Sequence, residues 1–176
     1  KRDDKDPLLD KITPKALYSL AAVYYKYQHY TVSYNAIDLG LNFLRSTGRT
    51  DYLAAFHRLL AETAIKNNEY LKAVQDLDIA IRNDTDYLQK AYALARVGDI
   101  YYSLNNFDLA EDAYSLAVSI FHKLGHQHPY SLYLRAESLF WLGRFAEAKR
   151  FFWLAIQSNN LKTALIPLKD DMLPWI

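Results

Sequence analysis

The 176-residue chain contains no cysteine, one methionine, and only five glycines and five prolines. Without cysteine there are no disulfides, no thiolate nucleophile and no sulfur-ligated metal, a composition that suits a reduced cytosol and a cysteine-free periplasmic domain alike. The glycines are too few and too scattered to build a phosphate-cradling loop, a nucleophile elbow or a dinucleotide fingerprint. Neither charge prevails: 21 Lys and Arg face 20 Asp and Glu. No basic stripe runs along the chain, and phosphate neutralisation dominates nucleic-acid affinity, so no nucleic-acid partner is expected. No apolar run approaches the roughly 20 residues that cross a bilayer, so direct membrane insertion is not expected either.

What the chain has instead is apolar and aromatic surface. Half of it is hydrophobic, and 15 tyrosines lead an aromatic content of 15%. Three blocks can be laid over one another: Lys66–Ala80, Ser103–Ala117 and Leu142–Ala155. Each runs turn, aromatic, two residues, alanine, three residues, large apolar, two residues, alanine. The aromatics are Tyr70, Phe107 and Phe145, and a weaker fourth copy sets Tyr30 ahead of Ser33, Ile37 and Gly40. The anchors recur at intervals of 40, 37 and 38 residues. A period of that length marks stacked supersecondary units, each too small to bury its apolar face alone.

The apolar positions within each unit recur at three and four, as in Leu17, Leu20, Ala21 and Tyr24, which is the helical period; no strand-like alternation is sustained. A break near His29-Tyr30, with helix-stopping residues at Ser46-Thr47-Gly48, Asn67-Asn68, Asn83-Asp84, Asn105-Asn106, Gly125, Gly143 and Asn159-Asn160, cuts the chain into eight helices in four antiparallel pairs. Thr13-Pro14 reads as the first helix start, because a capping hydroxyl precedes a proline whose missing N–H is no loss there. Residues 1–12 read as a flexible linker, 13–158 as the repeat domain, and 159–176, with Pro167 and Pro174, as a capping segment or the start of a truncated further repeat.

The third unit places Leu94, Val97, Gly98 and Tyr101 on its first helix and Phe107, Ala110, Tyr114 and Ala117 on its second. In this the chain resembles the tetratricopeptide-repeat family. The other units keep the small positions in Ala21, Ala61, Ala136, Ala73 and Ala148, with Leu77 and Phe152 as large fillers, but depart at the leading large residue and lack the terminal proline. The resemblance implies an all-α superhelix of four repeats in which small residues let helices approach and Tyr114 and Phe152 fill the space left.

In such a solenoid the first helices line a concave side. The residues just off the packing stripe there are Tyr18, Tyr25, Arg58, Glu62, Tyr92, Arg96, Asp99, Tyr102, Tyr133, Glu137 and Trp141, accompanied by Lys15, Lys26, Lys66, Tyr130 and Phe140. The expected role is a non-catalytic scaffold that holds a peptide or helix of a partner protein, with rings supplying area and charges setting register. The alternative is an assembly element that uses its ends or convex face inside a larger complex, and self-association is compatible with either. Relatives that clamp acidic chaperone tails use asparagine where this chain has Ala22, Glu62, Asp99 and Glu137. Carboxylates there repel an acidic tail, so a basic or apolar ligand anchored on aromatics is expected.

No catalytic residue, cofactor or metal is expected. His122, His126 and His128 cluster, but Gly125 ends the helix between the first two and no acidic or sulfur ligand accompanies them. His57 reads as a core or groove residue, and Asp76 with Asp78 as a solvated helix face. Phe140-Trp141 and Phe151-Phe152-Trp153 exceed what one buried layer needs, so they are expected to receive the C-terminal segment or another chain.

Overall fold

A computed structural model describes residues 7–125 and 128–158, with side chains from residue 14 onward. The described residues form eight α-helices: α1 Pro7–Lys26, α2 Tyr30–Thr47, α3 Leu53–Lys66, α4 Tyr70–Asn83, α5 Tyr87–Ser103, α6 Phe107–Lys123, α7 Pro129–Trp141 and α8 Phe145–Ser158. The chain parts into two compact units, Lys1–Thr85 and Asp86–Ile176, each holding two hairpins. Within both, consecutive helices pair as α1–α2, α3–α4, α5–α6 and α7–α8. In both, the second helix of the leading hairpin and also its first helix pack on the first helix of the next: α2 and α1 on α3, α6 and α5 on α7.

Each second helix begins on the repeating aromatic, Tyr30, Tyr70, Phe107 or Phe145. The turn before it is the same four times. A residue two positions ahead takes a left-handed backbone, Gln28, Asn68, Asn105 or Gly143, with φ of 63, 60, 57 and 75°. The next amide, of His29, Glu69, Asn106 or Arg144, then donates to the carbonyl five residues back, of Tyr24, Ala64, Tyr101 or Leu139, at 2.8–2.9 Å. This closes the helix end, where carbonyls would otherwise lack partners. Asparagine and glycine announce three of these turns; glutamine at 28 does not, which is why only the first break is poorly marked.

The large filler of every repeat is withdrawn from solvent: Ile37, Leu77, Tyr114 and Phe152 are at most 2% exposed. The small positions around them are buried as well, Ala21, Ala61, Gly98 and Ala136 on the first helices and Ser33, Ala73, Ala110 and Ala148 on the second. Ser33 stands where the others have alanine, and its hydroxyl donates to the Ala21 carbonyl at 2.8 Å, so the buried polar group is satisfied. Gly40 and Gly98 are required by approach: a Cβ would lie 2.3 Å from the Phe56 ring and 2.5 Å from the Tyr114 ring, respectively.

Two expectations are corrected. The chain is already helical from Pro7, so Pro14, expected at a helix start, lies within α1 and is accommodated at the loss of one helical bond. Asp76 is not on a solvated face: it is buried, and its carboxylate meets His57 Nδ1 at 2.8 Å. Asp78 does face solvent, beside Arg82 at 2.6 Å. The capping role expected of 159–176 and the position of His126 lie outside the described residues.

Candidate interaction face

The eleven residues expected to line a groove fall into two sets. In the first unit, packing and ion pairing take up most of the set. The Tyr18 ring meets Tyr52 and Phe56 with centroids 5.7 and 5.8 Å away. Tyr25 meets Tyr30 edge-on at 5.5 Å. Arg58 is paired with Asp84, and Glu62 is half-buried.

In the second unit the set converges. Tyr92, Arg96, Asp99 and Tyr102 follow one another at helical spacing along α5, while Tyr130, Tyr133, Glu137 and Trp141 do so along α7, and these two helices touch. Rings and charges from both helices then interlock. Tyr92 packs against His128 and Phe121, with centroids at 5.4 and 5.1 Å. Arg96 reaches Asp99 at 3.3 Å, and the Tyr114 hydroxyl donates to the same carboxylate at 2.9 Å. Further along, Tyr102 and Tyr133 donate to Glu137, and the Trp141 indole N–H donates to the Tyr102 oxygen.

Two members of the set are withdrawn from solvent. Tyr133 is 5% exposed and packs on Phe152, with centroids at 5.9 Å; Glu137 is 2% exposed. Neighbouring side chains such as Phe152 cover them, so they lie below the surface that α5 and α7 present. Their tyrosine partners are held firmly protonated. Burial raises the Tyr102 and Tyr133 hydroxyl pKa, and the Glu137 carboxylate raises them further. Burial and then Asp99 do the same for Tyr114 and Tyr130. Near neutral pH these phenols are therefore donors and not nucleophiles or bases.

The residues left at the surface are Tyr92, Tyr130 and Trp141, the last 47% exposed. Sequence reasoning missed Phe107 and Asn105 as members. Phe107 was read as the hairpin anchor alone, yet its ring stacks on Trp141 at 5.9 Å and 18°. With Tyr102 and Asn105 these two rings bound a pocket of about 350 Å3. The signal that could have found it is the anchor aromatic lying next to the stripe of the following first helix. No group of three or more His, Cys, Asp or Glu that could hold a metal occurs among the described residues.

No protein-family profile matches the chain, and no curated protein does. Solved structures do. MamA is 21% identical, with a TM-score of 0.69 over 86% of this chain and 82% of MamA. The C-terminal part of a TPR repeat-containing protein from Cytophaga hutchinsonii is 16% identical, with a TM-score of 0.69 over 87% of this chain and 58% of that one. The TPR-like repeats of a kinesin light chain from Podosopora anserina are 16% identical, with a TM-score of 0.67 over 87% and 77%. At such identities the likeness is one of fold, and it agrees with four hairpins built on one buried pattern. The chain thus has the all-α superhelical fold of tetratricopeptide-repeat proteins.

Proposed function

We propose that the α5–α7 face of the second unit binds a peptide or helical segment of a partner protein. The fold itself is that of protein-interaction scaffolds, which are typically not catalysts. The observation that carries the finer reading is the set of exposed rings, Tyr92, Tyr130 and Trp141, on helices whose half-buried Tyr102 and buried Tyr133 hydrogen-bond to the buried Glu137, while Tyr92 itself is held by Phe121 and His128. Rings held by their neighbours lose little entropy on binding, which suits them as anchors. The test is capture of peptides by the full chain. A combined Tyr92→Ala and Tyr130→Ala change, with helicity retained, is expected to weaken capture by at least about 10-fold, since each anchor ring contributes on the order of 1 kcal/mol or more. Leu71→Ala, on α4 of the other unit, serves as the control and is expected to leave capture unchanged. Equal capture by the double variant would refute the reading.

A second reading rests on α1. Ala16, Leu20 and Val23 are exposed there, whereas their counterparts 40 residues on, Phe56, Leu60 and Thr63, are buried or half-buried where α3 receives the preceding hairpin. This supports assembly through a helical hairpin of a neighbouring subunit on α1. Sedimentation of the full chain with a Val23→Glu variant tests it: loss of a larger species in the variant is the supporting result.

A further inference from the structure

We propose that the pocket bounded by Tyr102, Asn105, Phe107 and Trp141 takes a cationic side chain, arginine or lysine, of the bound partner segment. The inference rests on the reading of the α5–α7 face and names the chemistry that face selects.

The shape comes first. Phe107 and Trp141 are stacked, 18° apart with centroids at 5.9 Å, and both line the pocket. Tyr102 meets Phe107 at 67° with centroids 5.5 Å apart and so makes a wall at an angle to it. Three aromatic rings in two orientations line one space of about 350 Å3, enough for an aliphatic stem and its charged head. Asn105 closes the rim, and its left-handed backbone, φ 57°, is the one that ends α5. Its side-chain carbonyl is an acceptor suited to an ammonium or guanidinium.

Electrostatics points the same way. The Trp141 N–H donates to Tyr102, and the Tyr102 hydroxyl donates to Glu137, so a chain of hydrogen bonds runs from the pocket's rings to a buried carboxylate. Donation of its N–H leaves the Trp141 ring richer in electrons, and bonds in series reinforce one another. Along the two stripes the carboxylates of Asp99 and Glu137 stand against the single guanidinium of Arg96, which lies 3.3 Å from Asp99. An acidic side chain finds aromatic rings and an amide but no cation among the residues that line the pocket. A neutral aliphatic one fills the volume without the charge–quadrupole attraction, while a cation gains both.

The experiment uses the full chain and a defined array of 12-residue peptides. Each arginine or lysine peptide is paired with its citrulline or norleucine form, and the affinities of bound pairs are measured in solution. Replacing the cation is expected to cost roughly 3- to 30-fold, the range of a cation–π contact. Trp141→Leu is expected to remove that difference, bringing the charged peptide down to the neutral one, with the neutral one little changed. A second measurement needs no variant: the indole N–H resonance of Trp141 is expected to shift with tetramethylammonium and not with its uncharged isostere 3,3-dimethylbutanol. Peptides whose binding depends on Tyr92 and Tyr130 but is equal for charged and neutral forms would overturn the cationic pocket and leave the face standing. If no peptide shows binding dependent on Tyr92 and Tyr130, the face falls and the pocket with it.

Discussion

A methyl group on Gly98 would meet the Tyr114 ring at 2.5 Å, and this one contact sets how closely α5 and α6 approach. Gly98→Ala is expected to destabilise by about 1–3 kcal/mol, the usual cost of overpacking, and Tyr114→Ala by about 3–5 kcal/mol through the cavity it leaves. Tyr114→Phe keeps the ring and removes only the donor to Asp99, an expected loss of about 1 kcal/mol. Denaturant titration of the three variants checks the order. His128 gives a pH dependence. Its Nδ1 accepts from the Ser131 amide at 3.3 Å to start α7, and its ring stacks on Phe121 at 4.6 Å. Burial lowers its pKa. The unfolded chain therefore takes up a proton near the ordinary histidine value of about 6.5 while the folded chain does not yet. Stability is full above that value and is lost as pH falls below it, until the folded pKa is passed. The difference in thermal midpoint between wild type and His128→Gln is expected to narrow or reverse on acidification. A difference that is flat with pH would remove His128 as the cause.

At the scale of the helix, one turn is used four times, and its cost differs with the residue that makes it. Glycine and asparagine enter the left-handed region readily; glutamine does so at about 1 kcal/mol. Gln28→Gly is therefore expected to raise the stability of the first unit by roughly that amount, less the extra freedom it gives the unfolded chain. An unchanged denaturation midpoint is the contrary result. Helix placement was readable because the apolar period and the stop residues agree: α6 begins at Phe107, just after the Asn105-Asn106 stop, and ends at Lys123, just before Gly125. The place of Pro14 was not, because Thr13-Pro14 imitates a helix start although the chain is already helical from Pro7. Of the candidate face, the stripes on α5 and α7 were readable from spacing. Burial of Tyr133 and Glu137 was not, since spacing tells which way a side chain points and not what covers it.

For the whole molecule, the relevant fact is that each unit has a buried cluster of its own, one around Phe56 with Ile37 and Leu44, another around Tyr114 with Phe152 and Leu139. The described tryptophans, Trp141 and Trp153, lie on α7 and α8, so their fluorescence reports the second unit, whereas helical circular dichroism reports both. In repeat proteins stability is a sum of local and nearest-neighbour contributions. Phe56→Ala is expected to lower the dichroism midpoint more than the fluorescence midpoint. Coincident shifts would mean that the chain unfolds as one block.

The number of helices, their pairing and the buried alanine-and-ring pattern were determined by the sequence alone, because a period near 38 residues leaves stacked hairpins as the way to bury each unit's apolar face. Which of the polar and aromatic residues face solvent was decided only by the tertiary structure. The same stripe that seats Tyr18 against Tyr52 in one unit leaves Tyr92, Tyr130 and Trp141 exposed in the other. Exposure depends on which neighbour arrives, and that neighbour lies tens of residues away in the chain.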